Sequence, residues 1–87
     1  MKIKEDFLLR KVADCYVVVP VGKATVDFNG MMNLNETGAF LWEKLENDIT
    51  KEELLKAMLD EYEVPEDIAK KDIDNFITKL KDGNLLE

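Results

Sequence analysis

The feature that most constrains this chain is a single change of hydrophobic period at Leu34–Asn35. Before it, apolar residues come in short runs rich in β-branched and aromatic side chains, "FLLRKVA" from Phe7 to Ala13 and "CYVVVPV" from Cys15 to Val21. After it, they recur at intervals of three and four. Those two periods belong to strands and helices respectively. The order predicted is therefore β-β-β followed by α-α-α, an α+β chain.

Phe7 to Ala13 and Cys15 to Val21 are separated by almost nothing, which predicts a tight antiparallel hairpin around Asp14. Pro20 lacks a donor for the ladder and marks a strand end or an edge. "MMNL", Met31 to Leu34, supplies a third short strand. The intervening segment "GKATVDFNG", Gly22 to Gly30, carries the turn signal Asn29-Gly30. Either Val26 to Phe28 forms an extra strand hairpinned to the third, or the segment is a loop with one turn. An excursion with partial strand character is expected.

Asn35 is a good N-cap for a first helix running to about Asn47, with Leu34, Gly38, Leu41, Trp42 and Leu45 on one face. Gly38 lies inside its first turns, where glycine costs about 1 kcal/mol relative to alanine. The missing Cβ is expected to let the helix pass close to the sheet or to the third helix. No G-x-G-x-x-G pattern accompanies it, so it is not a phosphate cradle. Thr50 and Glu53 form a capping box before a second helix whose stripe is Leu54, Leu55, Met58, Leu59 and Tyr62. Pro65 suits the first turn of a third helix with the stripe Ile68, Ala69, Ile73, Phe76, Ile77 and Leu80, ending near Asp82. Gly83 is expected in the left-handed region, with Leu85 and Leu86 folding back on the core.

Three helices after a small sheet, with "NDI" as the short first link, make a winged helix-turn-helix-like unit. At 87 residues and 46% apolar content, residues 1–87 read as one domain with a modest core. That architecture alone settles no function.

Composition narrows the classes. The net charge of -7 disfavours nucleic acid and anionic membrane surfaces as partners. The chain has no histidine, so the usual acid–base group and commonest metal ligand are missing. Cys15 is the lone cysteine, expected as a small buried hydrophobe beside "YVVV". With no intrachain disulfide possible, no signal peptide and no long apolar run, a cytoplasmic location is expected. The acidic residues follow helical surface spacing and read as solvated faces. No enzymatic activity, cofactor or metal is expected.

The segments "DFNGMMNLNETGAFLWEKLE", "TKEELLKAMLDEYEV" and "DIDNFITKLKDGNLLE" together resemble the pyrroloquinoline quinone synthesis protein D (PqqD) family. The centre of the likeness is "LNETGAFLW", Leu34 to Trp42, followed by the spaced series Asp72, Phe76, Leu80, Gly83 and Leu85. The resemblance implies a small winged-helix-like domain that recognises the leader segment of a ribosomally made precursor peptide. It further implies presentation of that peptide to a modifying enzyme, commonly a radical S-adenosylmethionine (SAM) maturase. In the family the leader adds as a strand beside the third strand and lies against the third helix. Carried onto this chain, the peptide-binding residues are Met31, Met32, Asn33, Leu34, Asp72, Ile73, Phe76, Ile77, Lys79 and Leu80. The "GKATVDFNG" excursion is longer than in the founding member, as in relatives serving other pathways.

The residues fit such a role. A short edge strand offers unpaired backbone groups to an extended peptide. Met31 and Met32 point to opposite faces, one inward and the other toward a groove. Ile73 and Phe76 serve core or groove. Lys70, Lys71 and Lys79 suit an acidic leader, Asp72 and Asp74 a basic one, and most of these charges are simply solvated. Trp42 belongs to the core. Phe40 falls off the main stripe, covering the far side of the sheet or contacting a partner enzyme. A monomer or weak dimer is expected.

Two other readings stand beside this one: a regulatory or scaffolding protein-interaction domain, and a winged-helix DNA-binding protein. The DNA reading is weak because Pro65 to Asp82 sets Glu66, Asp67, Asp72, Asp74 and Asp82 against Lys70, Lys71, Lys79 and Lys81, with no arginine to read guanine. An acidic carrier protein fails outright, since the chain contains no serine for the prosthetic arm.

Overall fold

The structure is a computed structural model and describes residues 1–22 and 32–87. Strand β1 (Phe7–Val12) pairs antiparallel with β2 (Cys15–Pro20), and β2 with β3 (Met32–Leu34), in the order β1-β2-β3. Val12 opposite Cys15 closes the hairpin, leaving Ala13 and Asp14 as the turn. Pro20 is the last residue of β2, the strand end its missing donor requires. Residues 23–31, which include Met31 and most of the Gly22–Gly30 excursion, lie outside the described residues.

Strand alternation gives the sheet two unlike faces. Phe7 and Leu9 share one face with Tyr16, Val18, Met32 and Leu34, and Val18 is fully buried there. Leu8, Arg10 and Val12 share the other with Val19, Val17 and Cys15. Cys15 is therefore exposed, not buried as its apolar neighbours suggested. Its register opposite Val12, itself 57% exposed, decides the matter.

Helix α1 spans Glu36–Leu45, two residues short of the expected end. Its cap is as read: the Asn35 side chain accepts from the Gly38 N–H at 2.7 Å. Helix α2 spans Lys51–Glu61, opened by the reciprocal Thr50–Glu53 box at 3.1 Å in each direction. Helix α3 spans Glu66–Asp82, with Pro65 at the N-cap rather than in the first turn. Gly83 keeps a negative φ of -85°, contrary to expectation. The left-handed residue is Asn84 at φ 59°, which asparagine tolerates better than most side chains. That reversal lets the Leu85 N–H donate to the Leu80 carbonyl at 2.9 Å and places Leu85 in the core.

The core joins Val18 and Leu34 of the sheet to Leu41, Trp42, Leu45, Leu54, Met58, Ile73, Leu80 and Leu85. Residues 1–6, which carry no periodic signal, close it. Ile3 is buried and bridges Leu86, and the Lys4 and Glu87 N–H groups bond the Leu85 and Lys2 carbonyls at 2.9 and 2.8 Å. Phe40 does not reach the sheet's far side. It meets Tyr62 at the end of α2 edge-on, ring centroids 5.4 Å apart, with Lys44 Nζ over its own ring.

Candidate functional site

Helix α3 presents three flanks because its residues advance about 100° each. Ala69, Ile73, Phe76, Ile77 and Leu80 form the buried stripe. On one side, Glu66, Lys70 and Asp74 border a cleft toward α2, where Asp74 pairs with Lys51. On the other side, Ile68, Asp72, Asn75 and Lys79 recur at intervals of four, three and four, so they share one exposed flank. Ile68 is thus a correction to the expected stripe. It is 48% exposed and one residue off the buried row that begins with Ala69.

That second flank faces the β3–α1 junction, and the packing there explains Gly38. A Cβ on Gly38 would stand 3.1 Å from Asn35 Oδ1 and 3.3 Å from the Leu34 Cβ. The glycine therefore makes room for the helix's own cap and for the last residue of β3. Of the two expected neighbours, sheet and third helix, it is the sheet it meets. One side chain thereby closes α1 while Leu34 is drawn beneath the helix.

Between these surfaces runs a groove of about 370 Å³. Leu34, Gly38, Leu41 and Phe76 supply its apolar part, all of them buried. Asn33, Asn35 and Thr37 edge it on the β3–α1 side, and Asp72, Asn75 and Lys79 edge it on α3. An apolar floor with a few convergent polar groups is the usual form of a ligand site. Asp72 and Lys79 are the two charged side chains lining it, two helical turns or about 10 Å apart along α3. Lys79 Nζ reaches across the seam and donates to the Asn33 carbonyl at 3.2 Å. Beyond β3 the described residues place no further strand.

Of the residues expected to bind a peptide, the groove brings together Asn33, Leu34, Asp72, Phe76 and Lys79. Met32 is half-buried on the core face of β3, with its Cε near Gly83. Ile73, Ile77 and Leu80 are buried in the core and do not line this groove; Ile73 borders the cleft toward α2 instead. Met31 falls outside the described residues. Sequence reasoning left out Asn75, Thr37, Asn35, Gly38 and Leu41 as groove residues. Asn75 was within reach, since it stands three residues after Asp72 and four before Lys79. The α1 residues had no such signal, because their exposure depends on how closely Leu34 approaches.

Among the described residues, no group of three or more acidic or cysteine side chains is arranged to hold a metal ion. Nor is any helix among them long and apolar enough to cross a membrane. Acidic side chains are solvated as expected: no polar or charged residue is buried among those described.

Residues 15–86 match the protein family described as coenzyme PQQ synthesis protein D (PqqD). Among solved structures, the chain is similar to TbiB1 in complex with the TbiA(beta) leader peptide, at 25% identity and a TM-score of 0.77, over 100% of this chain and 95% of that one. It also shares the fold of a lasso peptide synthetase B1 complexed with the leader peptide, at 20% identity and a TM-score of 0.73, over 97% and 93% of the two chains. No curated protein sequence matches the chain.

Proposed function

Because the chain belongs to the PqqD family, we propose that it is a non-catalytic recognition module for the leader segment of a ribosomally made precursor peptide. The leader adds as a strand along β3, lies against α3, and is presented to a separate modifying enzyme such as a radical SAM maturase. The observation that carries this reading is the groove itself: a short strand, the last of the sheet among the described residues, beside an apolar floor and walled by the polar flank of α3. Strand addition draws affinity from backbone hydrogen bonds and specificity from pockets for alternate side chains. Here the pocket floor is Leu34, Leu41 and Phe76. TbiB1, 25% identical over the whole chain, is a protein seen in complex with a leader peptide.

The non-catalytic part of the reading rests on the chain's chemistry. It has no histidine, and its one thiol, Cys15, stands on the outer sheet face at the β1–β2 turn and does not line the groove. The groove's titratable side chains are one carboxylate and one ammonium, Asp72 and Lys79.

Titration with synthetic leaders from short reading frames neighbouring this one tests the proposal. Binding at about micromolar Kd or tighter is expected, with amide shifts concentrated at Met32, Asn33 and Leu34 and along Asp72, Asn75 and Lys79. A set with no micromolar binder, or binders that leave the β3 amides unmoved, would overturn it.

A further inference from the structure

The Asn33 carbonyl is held from outside the sheet, by an ammonium on the opposite wall of the groove. Carbonyls of an edge strand are the acceptors that an added strand uses. Lys79 makes no ion pair among the described residues, whereas Lys51 is taken by Asp74 and Lys70 borders the other cleft. Its ammonium thus sits on a neutral acceptor inside the site, on a long flexible stem.

We propose that Lys79 is a displaceable cap on the β3 edge that makes the groove selective for an extended peptide bearing a carboxylate side chain. The proposal rests on the strand-addition reading above. Before binding, Lys79 satisfies the Asn33 carbonyl and blunts the edge, as lysines on exposed edges commonly do. A peptide N–H arriving at that carbonyl displaces the ammonium, which is then left against the peptide in a partly desolvated groove. A carboxylate at that place gives the ammonium an ionised acceptor, so both partners carry charge where the bond given up had charge on the donor alone. A basic side chain there is repelled, so the cap discriminates between peptides as well as attracting one. Asp72, two turns along the same flank, repels the carboxylate from the other end of the groove. The pair therefore sets the direction in which a peptide with one acidic and one basic end can lie.

The test uses peptides selected from a random display library of about 12-residue sequences against the whole chain, with strand addition scored by amide shifts at Met32 to Leu34. Among such binders one position is expected to be enriched in Asp or Glu. Exchanging that residue for its amide should weaken binding to the unaltered protein about tenfold and to Lys79→Met less than about twofold, a coupling read from the double-mutant cycle. The difference should shrink at high salt. The carbonyl carbon shift of Asn33 should move in free Lys79→Met, and Lys79→Gln checks that the loss follows charge and not stem length. Binders at β3 with no preferred acidic position, or equal losses in both proteins, would overturn the cap while leaving strand addition intact. A library that yields no binder at β3 removes both.

Discussion

Gly38 sits inside α1 against its helix propensity, and two neighbours decide the sign of replacing it. Alanine gains about 1 kcal/mol of intrinsic helix preference. Its Cβ, however, would press on Asn35 Oδ1 at 3.1 Å and on the Leu34 Cβ at 3.3 Å. Disturbing an N-cap costs about 1 kcal/mol and overpacking costs about 1–3. Gly38→Ala is therefore expected to destabilise by about 1–3 kcal/mol in urea melts; an unchanged or raised midpoint would show that Leu34 yields freely. Ala13 presents the opposite case. It holds φ 55° in the two-residue hairpin turn, a region that costs an L side chain about 1–2 kcal/mol. Glycine loses part of that gain to unfolded-chain entropy, so Ala13→Gly should stabilise by up to about 1 kcal/mol. The sequence located this turn from the spacing of two strands but did not show which residue bears the strain. That depends on the pairing of Val12 with Cys15.

Helix starts were the most legible elements, because a cap is a local signal: Asn35, and Thr50 with Glu53, do in the structure what their spacing predicts. Helix ends and flanks were less so, since tertiary packing sets them. Asn84, not Gly83, turns left-handed where Leu85 enters the core, and Ile68 leaves the apolar row because the buried stripe starts at Ala69. The candidate groove was half legible for the same reason. Its β3 and α3 residues follow period and resemblance, whereas Thr37 and Leu41 are brought in by the approach of α1 to Leu34. In the proposed peptide site, the three flanks of α3 separate binding from stability. Asn75 is exposed on the groove side, so Asn75→Trp should fill the groove and weaken leader binding at least about tenfold, with stability within about 0.5 kcal/mol of the parent. A full-affinity Asn75→Trp protein would move the peptide site elsewhere. On the other flank, the Lys51–Asp74 pair is about half exposed on both sides, and Asp74→Asn should cost no more than about 1 kcal/mol and leave binding unchanged.

Across the whole molecule, the two chain ends are tied to each other and to the helix layer. Ile3 N–H donates to the Leu45 carbonyl and Lys4 N–H to Leu85, while the Ile49 N–H returns to the Met1 carbonyl, each at 2.9 Å. The N-terminal ammonium completes this closure, donating to Asp48 Oδ1 at 2.9 Å and the Ile49 carbonyl at 2.8 Å. The hydrogen bond from that ammonium, followed by its charge, holds the Asp48 carboxyl below the ordinary carboxylate value. A carboxyl whose pKa is lower folded than unfolded stabilises the fold above its unfolded value and loses that contribution as pH falls through the folded one. The net charge of -7 acts in the opposite sense over the same range, because mild acid relieves repulsion among the acidic residues. The two effects are separated by comparing Asp48→Asn with the parent rather than reading either curve alone. Just above the ordinary carboxylate range the parent should be the more stable. As pH falls through and below that range the two melting curves should converge, since the parent's Asp48 is then protonated and its ionic closure is gone. A difference that persists unchanged into strong acid would mean that the side chain supports the chain ends by packing and not by charge.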